Sequence, residues 1–240
     1  KTSEIAISFC IITFLFSVIK MQKPKLGQLF IIELKSDSGK YYTEYNSEIE
    51  ELLKQYKIGG FILFKQNIIS KIQIRKFIQT LQKNSEVPLF IAIDEEGGRV
   101  SRLRGILKEP APAHSVLGEI NNPKYTYKIA AKLGSQLKHI GINLDFAPVA
   151  DTLKTSANSM IGDRSFSGDA RIVMRHSFMF YQGLADNGII SCPKHFPGCG
   201  DTTQDLHKGI FVSNLKISDL IKFDLPIYLQ MIKFGCHAIM

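Results

Sequence analysis

The sequence predicts an α/β fold, a (β/α)8 TIM barrel truncated at about the sixth strand. Short apolar runs rich in β-branched and aromatic residues alternate with helix-length amphipathic segments, which is typical of a parallel sheet. Polar residues follow three of these runs, namely Asp94, Asp151 and the pair Lys194 and His195. In a barrel such strand ends meet on one rim, where active sites are built. No glycine-rich nucleotide fingerprint follows the first run, which favours the barrel over an open doubly wound sheet.

Six apolar runs are predicted as buried strands, because each is short and combines β-branched with other apolar residues. A (β/α)8 barrel needs eight strands, so we expect the sequence to be truncated at its C-terminus. The six runs span residues 29–34, 59–64, 88–93, 143–149, 188–192 and 236–240.

The segments between these runs carry apolar residues at helical spacing. The first predicted helix starts at Ser47, where Ser47 and Glu50 form a capping-box pattern. Pro226 lies inside the last segment, and we expect a break or kink there because proline lacks the N–H that a helix needs. The predicted helices span residues 47–56, 69–84, 125–140, 170–187 and 217–234.

The composition is that of an ordinary globular domain, with 45% hydrophobic and 22% charged residues among 240. Lysine and arginine total 30 against 22 acidic residues, which gives a formal net charge of +8. The basic residues are scattered, so we expect no nucleic-acid partner, since such partners usually select a basic stripe with interleaved aromatic residues. Four cysteines are too few for a disulfide scaffold and leave the redox compartment undecided.

The first twenty residues differ from the rest of the chain. Residues 5–19 form an uncharged apolar stretch that is short for a membrane span and has no small-residue cleavage site after it. Residues 1–20 are therefore a signal or anchor, with membrane association through residues 5–19 or a lipid on Cys10, or spurious upstream sequence. We expect an exported or anchored protein in the first case. If translation starts at Met21, we expect a cytoplasmic one.

The segment IDEEGGRVSRLRG places carboxylates and arginines around a double glycine at the end of the third strand. Gly97 and Gly98 permit a sharp turn and a close approach to a ligand. Asp94 can accept two hydroxyl hydrogen bonds, and Arg102 can donate to several ligand oxygens. Arg164, in the segment IGDRSF after the fourth strand, is a further donor. The alternative for both segments is a surface loop held by internal ion pairs.

The segment CPKHFPGCGDTTQDLH contains two Cys, two His, one Lys and two Asp within sixteen residues. Four soft or borderline ligands could close a tetrahedral zinc site there. Their spacing differs from that of common zinc modules, so we expect no metal. The four candidate zinc ligands are Cys192, His195, Cys199 and His207.

The same segment has a catalytic interpretation that uses other atoms. Asp205 and His207 lie two residues apart, so both side chains point the same way if the backbone is extended. A carboxylate beside an imidazole fixes its tautomer and raises its basicity, which makes a proton donor and acceptor near neutral pH. A loop histidine beside a surface aspartate is the alternative that two residues alone leave open.

Four blocks resemble, in order, the signature blocks of glycoside hydrolase family 3: DEEGGRVSRL, GINLDFAPVAD, IGDRSF and KHFPGCGDTTQDLH. The resemblance runs from Leu26 to Met240 and is closest to the bacterial β-N-acetylhexosaminidase (β-N-acetylglucosaminidase) branch, which the spacing of Asp205 and His207 marks. It implies that residues 21–240 are the N-terminal part of the family's catalytic barrel.

The resemblance implies a retaining exo-β-N-acetylhexosaminidase that hydrolyses terminal β-linked N-acetylglucosamine, for example in cell-wall glycans. His207 would be the proton donor and acceptor, and Asp205 its partner. One of the two carboxylates of the usual glycosidase scheme is thus replaced by a histidine. The nucleophile would be an aspartate beyond Met240, and no cofactor is needed. The residues that would contact the terminal sugar are Asp94, Arg102, Arg164, Lys194 and His195.

Three positions depart from the family pattern. Glu95 stands where members often have Gln, Cys199 where many have His, and Leu206 where many have Ser. None of these changes removes a proposed catalytic group, but they leave the substrate less defined than the family. The alternatives are a β-glucosidase or a glycoside phosphorylase of the same family, or a non-catalytic sugar-binding fragment.

Overall fold

The computed structural model describes residues 26–155, 160–201 and 216–240. As predicted, the fold is α/β and is built on a parallel sheet. A separate two-stranded antiparallel hairpin follows the third strand. In chain order the strands are β1 (Ile31–Glu33), β2 (Gly60–Leu63), β3 (Phe90–Ile93), β4 (Glu95–Gly97), β5 (Val100–Ser101), β6 (Leu144–Asp145) and β7 (Ile190–Ser191).

In the described part of the chain the parallel sheet has five strands, in the order β1-β2-β3-β6-β7. Its register pairs Ile31 with Gly60, Gly60 with Phe90, and Leu144 with both Ala92 and Ile190. The order across the sheet follows the order along the chain without a reversal. Because each neighbouring pair is parallel, the carboxyl ends of these strands lie at the same edge of the sheet, as the sequence predicts.

Amphipathic helices connect the strands, and π-helical turns adjoin some of the described ones. The first helix continues into a π turn at Leu52–Tyr56, and the last two are joined by a π turn at Leu220–Asp224. The helices are α1 (Ser47–Glu51), α2 (Lys71–Lys83), α3 (His114–Ile120), α4 (Pro123–Ile140), α5 (Ala170–Ala185), α6 (Ile217–Asp219) and α7 (Leu225–Lys233). Short 3₁₀ turns lie at Leu26–Leu29, Lys65–Asn67 and Gly162–Arg164.

The helix boundaries confirm one predicted feature and correct another. The break or kink expected at Pro226 is found as a change of helix type: the π turn at Leu220–Asp224 leads directly into α7, which has the proline in its first turn. The first helix starts at Ser47 as expected, but its cap is Asn46. The Asn46 side chain accepts the N–H of Ile49, so the cap lies one residue before Ser47 and the capping box predicted for Ser47 and Glu50 is wrong.

Two predicted strands differ from the structure. The fourth, predicted over residues 143–149, pairs as β6 only at Leu144–Asp145 and resumes as a single bridge between Val149 and Lys194. Pro148, which has no N–H to donate, interrupts the ladder between them. The sixth, predicted over residues 236–240, is not a strand. Met240 exchanges backbone hydrogen bonds with Pro193 and Phe196, which makes one rung rather than a ladder.

The sheet is apolar on both faces, and the helices cover one of them. Along β3, Ile91 and Ile93 belong to the large core that the buried faces of α2, α4, α5 and α7 complete. Phe90 and Ala92 point to the opposite face and pack in a smaller cluster of strand and loop residues. This alternation is the period-two pattern of a strand buried on both sides.

Among the residues that the structure describes, no helix combines the length and apolarity that crossing a membrane requires. Residues 1–20, on which the predicted signal or anchor depends, lie outside the described ranges. The predictions made for that stretch stay predictions.

Candidate active site

The polar residues that follow the third, fourth and fifth predicted strands lie close together at the carboxyl edge of the parallel sheet, here called the rim. Asp94 follows β3 directly, and Lys194 lies beyond β7, one hundred residues later. The Nζ atom of Lys194 lies 2.6 Å from Oδ1 of Asp94. Lys194 is 3% exposed, so its ammonium is a buried cation that needs a carboxylate partner.

Glu96, on β4, joins this pair to Arg164. Its Oε1 lies 2.6 Å from Nζ of Lys194. Arg164 donates to both Glu96 oxygens, from Nε to Oε2 and from Nη2 to Oε1, each at 2.8 Å. Such a fork is the geometry in which a guanidinium holds a carboxylate best. Glu96 is 2% exposed and therefore acts as the buried anion between two cations.

The ionised forms of Glu96 and Lys194 are stabilised by their neighbours of opposite charge. Burial alone would raise the pKa of Glu96, but Lys194 and Arg164 outweigh it and lower the pKa to about 2. Burial alone would lower the pKa of Lys194, but Asp94 and Glu96 outweigh it and hold the pKa above its ordinary value. Both shifts favour the ionised forms of Glu96 and Lys194 near neutral pH.

Asp94 faces a second cation across the rim. Nη2 of Arg102 lies 3.6 Å from its Oδ2, and the Arg102 guanidinium lies 5.6 Å from the centre of the Phe64 ring. The Asp94 and Arg102 side chains are 18% and 30% exposed. The pair is thus the part of the cluster that an approaching ligand reaches most easily.

His195 is held by Asp151, a fully buried carboxylate. Its Nδ1 lies 2.6 Å from Oδ2 of Asp151, and the N–H of Cys199 donates to Oδ1 at 2.7 Å. On the other side of the ring, Nε2 lies 3.4 Å from Nη2 of Arg164. His195 therefore lies between a buried anion and the cation that Glu96 holds.

The β4–β5 hairpin carries Glu96 and positions the backbone next to Arg102. The predicted turn at the double glycine is present, with φ of +93° at Gly97 and +54° at Gly98. Glu95 accepts the N–H groups of Arg102 and Leu103 at 2.8 and 2.9 Å, which fixes the backbone that carries Arg102. Burial raises the pKa of Glu95 above its ordinary value.

A buried cluster of alternating charges at the carboxyl ends of parallel strands is the expected setting of a polar-ligand site. The family description "Glycosyl hydrolase family 3 N terminal domain" matches residues 21–240. The chain belongs to glycosyl hydrolase family 3.

Curated members of family 3 resemble this chain over part of their length. Beta-hexosaminidase A of Pseudoalteromonas piscicida is 37% identical over 172 residues, which cover 68% of this chain and 29% of that protein. Beta-hexosaminidase LpqI of Mycobacterium tuberculosis is 30% identical over 210 residues, 88% of this chain and 51% of that protein. The chain therefore spans between about a third and a half of the length of these relatives.

Solved structures of family 3 proteins share the fold. A β-N-acetylglucosaminidase from Paenibacillus sp. str. FPU-7 has a TM-score of 0.84 at 32% identity, covering 90% of this chain and 40% of that one. NagZ from Neisseria gonorrhoeae, in complex with N-trifluoroacetyl-D-glucosamine, has a TM-score of 0.79 at 29% identity. That match covers 88% of this chain and 62% of that one.

The structure brings together all five family 3 residues predicted to contact the sugar. Asp205 and His207, the predicted catalytic pair, lie outside the described residues. Sequence reasoning missed the parts played by Glu96 and Asp151, although both follow strands. A signal was present, because the predicted site gathered a lysine and an arginine that burial would force to find carboxylate partners. The other carboxylates after the third and fourth predicted strands, Glu95, Glu96 and Asp151, were the candidates. The five predicted contact residues are Asp94, Arg102, Arg164, Lys194 and His195.

The zinc interpretation gains no support from the described part of the chain. Within residues 26–155, 160–201 and 216–240, no three His, Cys, Asp or Glu side chains are grouped as metal ligands. Cys192 packs in the smaller apolar cluster, and burial raises the pKa of Cys199 to about 12. His207, the fourth candidate, lies outside the described residues, so the absence of a metal stays a prediction.

Proposed function

We propose that the intact protein is a retaining exo-β-N-acetylhexosaminidase that removes terminal β-linked N-acetylglucosamine, and that the rim described here holds that sugar. The observation that carries the proposal is the position of Asp94, between Lys194 and Arg102 at the open edge of a buried charge cluster. An ionised carboxylate so placed accepts hydroxyl hydrogen bonds strongly. The printed names of the family 3 relatives, beta-hexosaminidase and β-N-acetylglucosaminidase, support the substrate class.

The proposal includes closure of the sheet into a (β/α)8 barrel in the intact protein. Two features support this. The strand order follows the chain order, whereas a doubly wound sheet reverses at a switch point. Within the described residues the helices pack against one face, and the opposite face carries a cluster of strand and loop residues that suits a barrel interior.

The residues proposed to contact the sugar can make hydrogen bonds beyond those they make within the protein. Lys194 has three N–H donors, and two carboxylates occupy two of them. Arg102 lies 3.6 Å from Asp94, which is long for a hydrogen bond and leaves its guanidinium able to donate to sugar oxygens. Nη2 of Arg164 and Nε2 of His195 lie side by side at the same edge. The rim can thus offer several donors beside one strong acceptor, which suits the alternating hydroxyls of a hexose.

The chemical step in this proposal belongs to His207 and Asp205. His207 protonates the departing glycosidic oxygen and later accepts a proton from water, while Asp205 orients the imidazole and stabilises its charge. The nucleophile is an aspartate supplied by a further strand end of the intact protein. A carboxylate that attacks the sugar makes a covalent intermediate, which accounts for retention of configuration.

The test uses the intact protein and two chromogenic substrates, an aryl N-acetyl-β-glucosaminide and the matching β-glucoside. We expect turnover of the first to exceed that of the second, with β-configured product at early times and no dependence on phosphate. Preference for the glucoside would favour the β-glucosidase alternative, and a requirement for phosphate would favour the phosphorylase. Binding of N-acetylglucosamine without turnover of either substrate would favour the sugar-binding alternative.

A matched pair of variants ties the activity to the rim. Asp94→Asn removes the charge that strengthens the hydroxyl hydrogen bonds, and we expect kcat/KM to fall by about 10-fold or more. Asp186→Asn is the control, because Asp186 lies after α5, away from the rim, and accepts a hydrogen bond from Tyr127. Equal activities in the two variants would contradict the assignment of Asp94.

A further inference from the structure

The orientation of the His195 ring is set by one buried residue. Asp151 is fully buried and receives three donors, namely Nδ1 of His195 at 2.6 Å and the N–H groups of Cys199 and His195 at 2.7 and 3.3 Å. An ionised carboxylate accepts and does not donate. The hydrogen between the two side chains therefore belongs to Nδ1 of His195.

Placing the hydrogen on Nδ1 leaves Nε2 without one when the imidazole is neutral. Nε2 is then an acceptor, and it points to the edge where Nη2 of Arg164 lies 3.4 Å away. That distance is long for a hydrogen bond, so Nε2 is open to a stronger donor. The His195 side chain is 23% exposed, which allows a ligand hydroxyl to reach it.

We propose that Asp151 is a positioning residue that holds His195 in its Nδ1–H tautomer, so that Nε2 accepts a hydrogen bond from one hydroxyl of the bound sugar. This inference rests on the proposed function as far as the sugar is concerned. It adds a source of specificity that no sugar-contacting residue supplies alone. A site built to pair a hydroxyl rejects analogues that lack its proton, because Nε2 is then left without a partner.

The perturbation that tests the proposal is Asp151→Asn, which keeps the shape and removes the charge. The asparagine oxygen can accept from Cys199 N–H, and its NH₂ group then faces Nδ1 of His195 as a donor. A neutral ring must respond by moving its hydrogen to Nε2. The acceptor facing the sugar then becomes a donor.

The first measurement is the imidazole nitrogen spectrum of the intact protein labelled with ¹⁵N, at a pH where the ring is neutral. We expect the Nδ1–H tautomer for His195 in the wild type and the Nε2–H tautomer in Asp151→Asn. Asp186→Asn, the matched control, should keep the wild-type pattern. An Nε2–H tautomer in the wild type would overturn the proposal even if Asp151→Asn fails to fold. An unchanged tautomer in a folded Asp151→Asn protein would overturn it as well.

The second measurement uses aryl N-acetylglucosaminides in which one hydroxyl at a time is replaced by fluorine, which accepts but cannot donate. In the wild type, kcat/KM should fall by about 10-fold or more for the position that faces His195. In Asp151→Asn the same replacement should cost less than about threefold, because the donor and acceptor roles have been exchanged. Equal losses in both proteins at every position would refute the proposed contact.

The two measurements separate this inference from the proposed function. If the wild type hydrolyses no N-acetylglucosaminide, the proposed function fails, yet the tautomer of His195 still tests the role of Asp151. If hydrolysis is found and the tautomer does not depend on Asp151, the inference fails alone.

Discussion

Replacing Glu96 by glutamine tests the buried charge cluster most severely. The carboxylate receives two hydrogen bonds from Arg164 at 2.8 Å and one from Lys194 at 2.6 Å. The glutamine amide has one oxygen that can accept from these donors, and its NH₂ group faces the remaining donors. Arg164 or Lys194 therefore loses a hydrogen-bond acceptor. Removing one member of a buried pair costs about 3–5 kcal/mol.

The pKa of Glu96 gives a second route to the same magnitude. It falls from 4.5 to about 2 in the folded protein. At about 1.4 kcal/mol for each pH unit, the ionised carboxylate contributes about 3 kcal/mol to the free energy of unfolding at neutral pH. Because the folded pKa is depressed, this stabilisation is complete above the unfolded pKa of 4.5 and is lost as the pH falls towards 2.

The assay is urea unfolding of the intact protein and of Glu96→Gln between pH 7 and pH 3. We expect the variant to be less stable by about 3 kcal/mol at pH 7, with the gap narrowing by about 2 kcal/mol at pH 3. Glu109→Gln is the control, since Glu109 pairs with Lys132 at the exposed surface, and its unfolding midpoint should match the wild type. A gap that stays constant with pH, or a variant as stable as the wild type, would show that the Glu96 charge does not stabilise the folded protein.

Three further predictions concern the zinc alternative, the catalytic pair and the loop that carries His195. A chelator should leave the melting temperature unchanged, and protein purified without added zinc should hold no stoichiometric metal, whereas one tightly held zinc per chain would restore the metal interpretation. His207→Ala should slow turnover of substrates with poor leaving groups by about 10²–10⁴-fold, with a smaller defect for Asp205→Asn, and rates within about twofold of wild type on every substrate would exclude a catalytic role. Gly200→Ala should lower the melting temperature, because the new Cβ would lie 1.6 Å from the carbonyl oxygen of Thr152. The control Gly105→Ala should leave the melting temperature unchanged, because its Cβ meets no atom within 4 Å. Equal melting temperatures of the two variants would contradict the loop geometry.

Much of the fold could be predicted from periodicity, and the errors have local physical causes. Apolar runs predicted the five strands of the sheet, and amphipathic segments predicted the main helices. A strand buried on both faces is apolar throughout, and a helix buried on one side has apolar residues at helical spacing. The β4–β5 hairpin was missed because its strands, Glu95–Gly97 and Val100–Ser101, are polar and stabilised by the Glu95 carboxylate. The run at 236–240 has strand-like composition, but pairing depends on a neighbour that composition does not specify.

The candidate site could be predicted residue by residue but not as a network. Asp94, Arg164 and Lys194 were found from their places after strands and from the family resemblance. Their connection through Glu96 depends on which side chains are buried together, and that follows from strand order and register rather than from spacing. The hydrogen bond between Asp151 and His195 joins positions 44 residues apart, so the local sequence pattern could not predict it either.

A crystal structure of the intact protein with bound N-acetylglucosamine would show whether the charge cluster holds the sugar. We expect the sugar at the carboxyl ends of β3, β6 and β7, with two of its hydroxyls within hydrogen-bond distance of Asp94. Lys194, Arg164 and His195 should contact its other oxygens. A sugar bound elsewhere, or bound at this rim without a hydrogen bond to Asp94, would show that Asp94 does not bind the substrate.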